Sequence, residues 1–167
     1  MSEAGPHARP RWILRAFAEL STAELYEILA ARAEVFVVEQ RCAYQDIDQL
    51  DRAALHLWAP LPGDPTRVGA YLRILPPGSR YATEVAIGRV LTRAALRGQG
   101  WGRAVIAEGV RMACERWPEH DVKLGAQTHL TQLYAEFGFA ICGPGYVEDG
   151  IPHTDMRRAR EARGGVR

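Results

Sequence analysis

Residues 96–109 read LRGQGWGRAVIAEG, with glycines at three alternate positions, 98, 100 and 102. An apolar helical pattern follows at once. The run before the loop, VAIGRVLT at residues 85–92, is dense in β-branched residues and reads as a central strand. A strand that enters a glycine loop and leaves it as a helix puts a helix start at the end of a sheet. The first-turn N–H groups of that helix have no partner within it, and partial positive charge gathers there. Glycine lets the backbone come close to a ligand and adopt positive φ. The stretch therefore reads as a cradle for phosphate or pyrophosphate. Arg97 and Arg103 can add charge-assisted bonds. The alternative is a glycine-rich turn with no ligand.

Two familiar cradles are excluded. The ATPase P-loop needs G-x-x-x-x-G-K-[ST], but Arg103 and Ala104 stand where the Lys pair belongs. The dinucleotide fingerprint needs G-x-G-x-x-G. Gly98 and Gly100 fit it, but the third position holds Arg103. Successive βαβ units near the N-terminus are also lacking.

The remaining segments set the fold class. Residues 12–17 read as a first strand. Ser21 opens a helix with Glu24 three residues on, a capping box, and Leu25, Ile28 and Leu29 form its apolar face. Residues 34–40, EVFVVEQ, fit a strand or the end of a helical pair. Residues 45–55 are acidic and read as irregular. Runs at 55–59 and 68–75 flank PLPGDPT and read as a hairpin. A helix spans about 100–117, stopped by Pro118, and 122–127 is another strand. A short helix covers 130–137, with Gly138 as its cap, and a last strand or hairpin starts at 139. This order predicts a mixed α/β or α+β sheet in one domain, over residues 12–158. Residues 1–11 and 159–167 read as flexible ends. There is no internal repeat.

With 167 residues the chain can bury one real core. A net charge of +1 gives no field that would draw it to nucleic acid or anionic lipid. Cys42, Cys114 and Cys142 have no metal-like spacing, and an odd count argues against a disulfide framework. No apolar run is long enough to span a membrane, and the N-terminus lacks a signal-peptide core. A cytoplasmic setting is expected. The histidines are scattered, with neither H-E-x-x-H nor C-x-x-C, so no metal site is expected.

The motifs resemble those of the GNAT-type N-acetyltransferases. RGQGWG, residues 97–102, is similar to their R/Q-x-x-G-x-G/A pyrophosphate loop. IGRVLT is similar to their fourth strand, and LYAEFGF, residues 133–139, to their closing Y-x-x-x-G-F helix. VFVVEQRCAYQDID (35–48), His56, GRV (88–90), LGAQTHL (124–130) and EDGIPH (148–153) resemble the ElaA-like branch. The resemblance covers about residues 12–158. It implies a mixed central sheet flanked by helices on both faces, with a splayed strand pair holding the cofactor.

The resemblance implies acetyl-coenzyme A as the acetyl donor. Backbone around Gly98, Gln99, Gly100, Trp101, Gly102 and Arg103 would hold the pyrophosphate, with Arg97 assisting from the side. Trp101 falls at a variable position of the motif and is expected to alter packing alone. The edge of the fourth strand, through Thr92, would pair with the pantetheine amides. A backbone N–H of Val90 or Leu91 would face the thioester oxygen, and Tyr134 would be the general acid for the departing thiolate. By position alone Tyr134 also fits a core aromatic, beside Leu130, Leu133 and Phe137.

Transfer to an amine also needs a base. His56, His129 and His153 are the candidates. Their alternatives are a buried structural histidine at 56 and a helix cap at 129. Glu39, Asp46 and Asp48 lie where family members line the acceptor pocket, and each equally fits a solvated acidic face. Glu148 and Asp149, beside His153, can hold a cationic acceptor. Arg73 and Arg89 alternate with apolar neighbours and read as solvent-facing, or Arg89 as a brace to a carboxylate. No feature points to an activated cysteine, so direct transfer is expected. The expected function is acetyl transfer from acetyl-CoA to a primary amine of a small molecule or peptide, by a monomer or homodimer. The competing readings are a non-catalytic acyl-CoA sensor and a nucleotide-binding protein.

Overall fold

The computed structural model describes residues 9–161. Seven strands form one sheet: β1 (Ile13–Ala16), β2 (Leu55–Leu61), β3 (Asp64–Leu75), β4 (Val85–Thr92), β5 (Val122–Gln127), β6 (Ala140–Glu148) and β7 (Ile151–Arg158). Their spatial order is β1-β2-β3-β4-β5-β7-β6. Every neighbouring pair is antiparallel except β4 and β5. This is the mixed, α+β sheet the segment order predicts.

Strand alternation sends side chains to two helical layers. On one face Trp58, Val68, Tyr71 and Leu91 meet Ile28, Ala31 and Val35 of the first helical segment. On the other, Leu57, Leu72, Ile74 and Leu124 meet Val105, Ile106 and Val110 of α2 (Trp101–Arg116). Each large apolar side chain of α2 contributes roughly 1.5–3 kcal/mol by burial. Gly109 lets α2 approach closely, since a Cβ there would lie 2.5 Å from Leu72 Cδ2. A short α3 (Thr131–Ala135) joins the same layer through Tyr134.

α1 (Thr22–Arg32) begins at the expected cap. Ser21 Oγ accepts from Glu24 N at 3.1 Å, and Glu24 Oε2 accepts from Ser21 N at 2.8 Å. The ambiguous segment 34–40 is helical. It continues α1 as a π-helix over Ala33–Glu39. Its β-branched residues pack Val35 onto the sheet, and the wider turn shifts the face that follows. The hairpin is tighter than its composition predicts. β2 and β3 are joined by residues 62 and 63 alone, with Gly63 at φ +84, and a register shift around Pro60 absorbs the proline. The last segment is a full hairpin. Asp149 and Gly150, at φ +50 and +79, make the two-residue turn between β6 and β7.

Of the ends expected to be flexible, 1–11 and 159–167, residues 1–8 and 162–167 lie outside the described residues. Just past β7, Arg160 has partners in the chain before β5. Arg160 N donates to Asp121 Oδ1 at 2.9 Å, and Arg160 Nη1 donates to the Glu119 carbonyl at 2.8 Å. No helix among the described residues is long and apolar enough to cross a membrane.

Candidate active site

β4 and β5 pair only at their starts, Val85 with Val122 and Ala86 with Lys123. The reason lies on the other edge of β4. Gly88 sits opposite Arg73 and Leu91 opposite Tyr71. Two β4 residues, Arg89 and Val90, thus face one β3 residue, Leu72. This is a β-bulge, with Arg89 at φ +54. Bulges bend the strand that carries them. A cleft of about 540 Å³ opens between the strands, with Gly88, Arg89 and Val90 on one side and Leu124, Gly125 and Gln127 on the other.

Three further elements line this cleft. α3 supplies Tyr134. The β6–β7 turn supplies Glu148, Asp149, Ile151 and His153. The π-helix and the chain after it supply Phe36, Gln40, Cys42, Tyr44 and Asp48. Cys42 Sγ donates to the Asp149 carbonyl at 3.3 Å, tying the last two together.

Tyr134 is 6% exposed, and its ring meets that of Phe139 edge-on at 6.0 Å. Burial pushes its phenol up to about 12. It is therefore fully protonated near neutrality, as a proton donor must be. Tyr134 is both the core aromatic and the cleft residue that its position allowed.

His153 Nδ1 lies 2.7 Å from the Ile151 carbonyl. A carbonyl only accepts, so Nδ1 donates, and in the neutral ring Nε2 keeps its lone pair. Nε2 lies 3.9 Å from Glu148 Oε2, too far for a hydrogen bond. The imidazole stacks on Tyr146, with centroids 5.8 Å apart. This is a fixed, half-buried histidine with an available base nitrogen.

The glycine loop leads from the end of β4 into α2. Gly98 has φ +76, and Gly100, the residue before α2, has φ +82. A Cβ at either would meet nothing within 4 Å, so this backbone is open to a ligand. Gly102 lies within the first turn of α2, where a Cβ would be 3.6 Å from Thr92 Oγ1, ordinary contact. An open, left-handed glycine backbone before a four-turn helix fits a pyrophosphate, and the unpaired edge of β4 fits an extended amide chain. The neighbouring polar side chains are exposed, each with a partner in the chain. Arg97 Nε donates to the Thr92 carbonyl at 3.0 Å and Arg97 Nη2 to Glu39 at 2.5 Å. Arg103 holds Glu136 with two bonds of 3.0 Å. Gln99 Nε2 donates to the Ala95 carbonyl at 2.8 Å. Trp101 packs against the α2-side core.

A cluster of three arginines and three aspartates runs from the cleft wall, through Asp48, Arg73 and Arg89, to Arg32, Asp46 and Asp51 behind it. Asp46 accepts from Arg32 Nε at 2.9 Å, Arg89 Nε at 2.7 Å and the Tyr44 hydroxyl at 2.9 Å. Asp51 Oδ1 accepts from Arg32 at 2.6 Å and Arg73 at 2.8 Å. Asp48 accepts from Arg73 at 2.8 and 2.5 Å, and from Arg89 at 3.3 Å. Burial pushes the Asp48 carboxyl up, but Arg73 and Arg89 outweigh it and hold it at about 2. Asp51 Oδ2 and Arg73 Nε are buried without a protein partner.

Several expectations are corrected by this cluster. Arg73 is not solvent-facing: it is 1% exposed, because the chain at 46–53 covers that part of the sheet. Asp46 is not free for a cationic acceptor, being 8% exposed and held by two arginines. His56 does not reach the cleft and has no base nitrogen. It is fully buried, with Nε2 3.0 Å from the Asp51 carbonyl and Nδ1 2.8 Å from the Tyr71 hydroxyl. Nε2 must donate, so Nδ1 accepts, and burial lowers its proton affinity. His129 is exposed and outside the cleft lining, as is Glu39, which pairs with Arg97. Leu91 is buried in the α1-side core, so only its backbone can serve a ligand.

The cleft brings together Val90, Tyr134, His153, Glu148, Asp149 and Asp48 from the expected set. Residues that sequence reasoning passed over are Gln40, Cys42, Tyr44, Arg80 and Gln127. The first three lie inside the 35–48 motif and Gln127 inside the 124–130 motif, which were the available signals.

The chain matches the family model described as an acetyltransferase (GNAT) domain over residues 71–160. Protein ElaA of Escherichia coli is 40% identical over 148 residues, 84% of this chain and 90% of that protein. The crystal structure of that ElaA superposes with a TM-score of 0.83 at 38% identity, covering 90% of this chain and all of the other. An acyl-CoA N-acyltransferase from Pseudomonas aeruginosa superposes with a TM-score of 0.84 at 41% identity, with the same coverage. Sequence, sheet order and cleft thus agree, and the chain belongs to the GNAT acetyltransferase family, in its ElaA-like branch.

Proposed function

We propose that the protein moves an acetyl group from acetyl-CoA directly to a primary amine. The observation that carries this reading is one cleft, at the β4–β5 splay, lined by a protonated Tyr134 and a His153 with a free Nε2. Acetyl-CoA supplies an activated thioester. The backbone at 98–103 holds its pyrophosphate, and the open edge of β4 pairs its amide arm. A backbone N–H of Val90 or Leu91 donates to the carbonyl oxygen as charge develops there. His153 Nε2 removes one proton from the attacking amine, while Glu148 and Asp149 keep a cationic acceptor at the mouth.

The bond formed is nitrogen to acetyl carbon, and the bond broken is carbon to sulfur. Tyr134 gives its proton to the thiolate. A phenol at about 12 is a weaker acid than a thiol of ~8.5, so the transfer relies on alignment in the closed cleft. The tyrosinate regains a proton from solvent and His153 releases to solvent the one it took, leaving an amide and free coenzyme A. The test is thiol release from acetyl-CoA with a panel of amines, beside calorimetry with coenzyme A. Binding without turnover of any amine would leave a sensor of acyl-CoA. No binding would end the reading.

A further inference from the structure

The β4 bulge places a residue in the left-handed region, where glycine is strongly favoured. Gly88 is the immediately preceding residue, yet the left-handed position is held by Arg89, at φ +54. A β-branched or long side chain persists there only when its surroundings over-determine it. Those surroundings are specific. Arg89 Nε donates to Asp46 Oδ1 at 2.7 Å, and its Nη2 donates to the Asp46 carbonyl at 3.0 Å and Asp48 Oδ2 at 3.3 Å. The guanidinium lies over the Tyr44 ring, 5.4 Å from its centroid. Asp46 cannot follow Arg89 if the strand shifts, because fully buried Arg32 holds its other oxygen at 2.9 Å. The bulge is thus bolted to a fixed anchor, and every partner of the bolt lies in the 44–48 segment of the acceptor-side wall.

We propose that Arg89 is a positioning residue: its grip on Asp46 and Asp48 fixes the bulge so that the Val90–Leu91 backbone faces the thioester carbonyl. The proposal rests on the acetyl-transfer reading above. It adds that the strand which receives the thioester and the wall which receives the amine are set by one guanidinium.

The experiment compares wild type with Arg89→Gly, Arg89→Ala and Arg89→Lys. Asp46 keeps Arg32 and Asp48 keeps Arg73 in each, so no carboxylate loses its last cation. The probe is acetyl-CoA labelled with ¹³C at the carbonyl, with coenzyme A as reference. The readouts are the carbonyl ¹³C shift, the Val90 and Leu91 amide shifts, and affinity by calorimetry. Glycine adopts positive φ without strain, so a bulge that needs only its backbone conformation survives Arg89→Gly unchanged. The expected result is affinity within about threefold of wild type in all variants, since the pyrophosphate loop is intact. The carbonyl and amide responses are lost in Gly and Ala and partly restored in Lys. Turnover falls about 10²-fold in Gly and Ala, the scale of a misplacement near 1 Å. Wild-type responses in Arg89→Gly overturn the proposal alone. Wild type that binds no acetyl-CoA overturns the acetyl-transfer reading, and this proposal with it.

Discussion

The ring of Tyr134 meets that of Phe139 edge-on at 6.0 Å, with an interplanar angle of 77°. The contact anchors the phenol from the core side and leaves its hydroxyl to the cleft. Tyr134→Phe keeps the ring and the packing. Turnover is expected to fall about 10²–10⁴-fold, with coenzyme A affinity and melting temperature nearly unchanged. Because burial lifts this phenol to about 12, its ionisation contributes no falling limb to a rate profile near neutrality. Stopped-time thiol assays on the two proteins check both points, and equal turnover would remove Tyr134 from the mechanism.

The three loop glycines are not equivalent. Gly98→Ala or Gly100→Ala forces a side chain into the left-handed region, at roughly 1–2 kcal/mol each. A backbone that relaxes away from this geometry loses about tenfold in coenzyme A affinity. Gly102→Ala places its methyl in ordinary contact with Thr92 Oγ1 and is expected to bind as wild type. Calorimetric titration with coenzyme A separates them, and three equal affinities would contradict the cradle.

The two histidines that differ most in setting are expected to fail differently. His153→Gln lowers turnover by about 10²-fold and costs stability no more than about 1 kcal/mol, the scale of one lost hydrogen bond. Replacing His56 with Phe takes the acceptor from the buried Tyr71 hydroxyl and leaves the Asp51 carbonyl with the Ala54 N–H alone, at about 1–3 kcal/mol. Urea titrations and thiol release on both variants decide this. Loss of activity without loss of stability at His56 would contradict its structural placement.

Acid stability follows from Asp48. Its folded carboxyl sits near 2, below the ordinary 3.8. A depressed carboxyl contributes stability that is complete above 3.8 and is lost as pH falls towards 2. The gap corresponds to roughly 2 kcal/mol. Urea midpoints measured from pH 5 to pH 2 are expected to drop in this window. Asp48→Asn is expected to be less stable at pH 5 and to lose less on acidification. A parallel fall in both proteins would show that Asp48 does not carry the effect.

The glycine loop, the strand before it and the helix after it were legible because each rests on local chemistry: positive φ at Gly98 and Gly100, β-branched residues at 85–92, and apolar spacing from 101. The Ser21–Glu24 cap was equally local. The polar cluster was not legible. Strand alternation gave Arg73 to solvent, but alternation only says which face a residue takes, not what covers that face. Asp46 read as an acceptor-pocket residue for the same reason, because an acidic loop looks alike whether water or arginine surrounds it, and His56 read as a base because its residue type does not show the Tyr71 and Asp51 partners that bury it.

The sequence by itself determined the order of most strands and helices and where glycine frees the backbone before α2, since propensity, capping and glycine freedom act over a few residues. Only the tertiary structure decided which charged groups face the cleft. That choice depends on partners 14 to 43 positions away, as between Arg32 and Asp46 or Asp46 and Arg89. Coulombic pairing and desolvation follow distance in space, which the chain acquires only when the sheet and its covering segment have closed on each other.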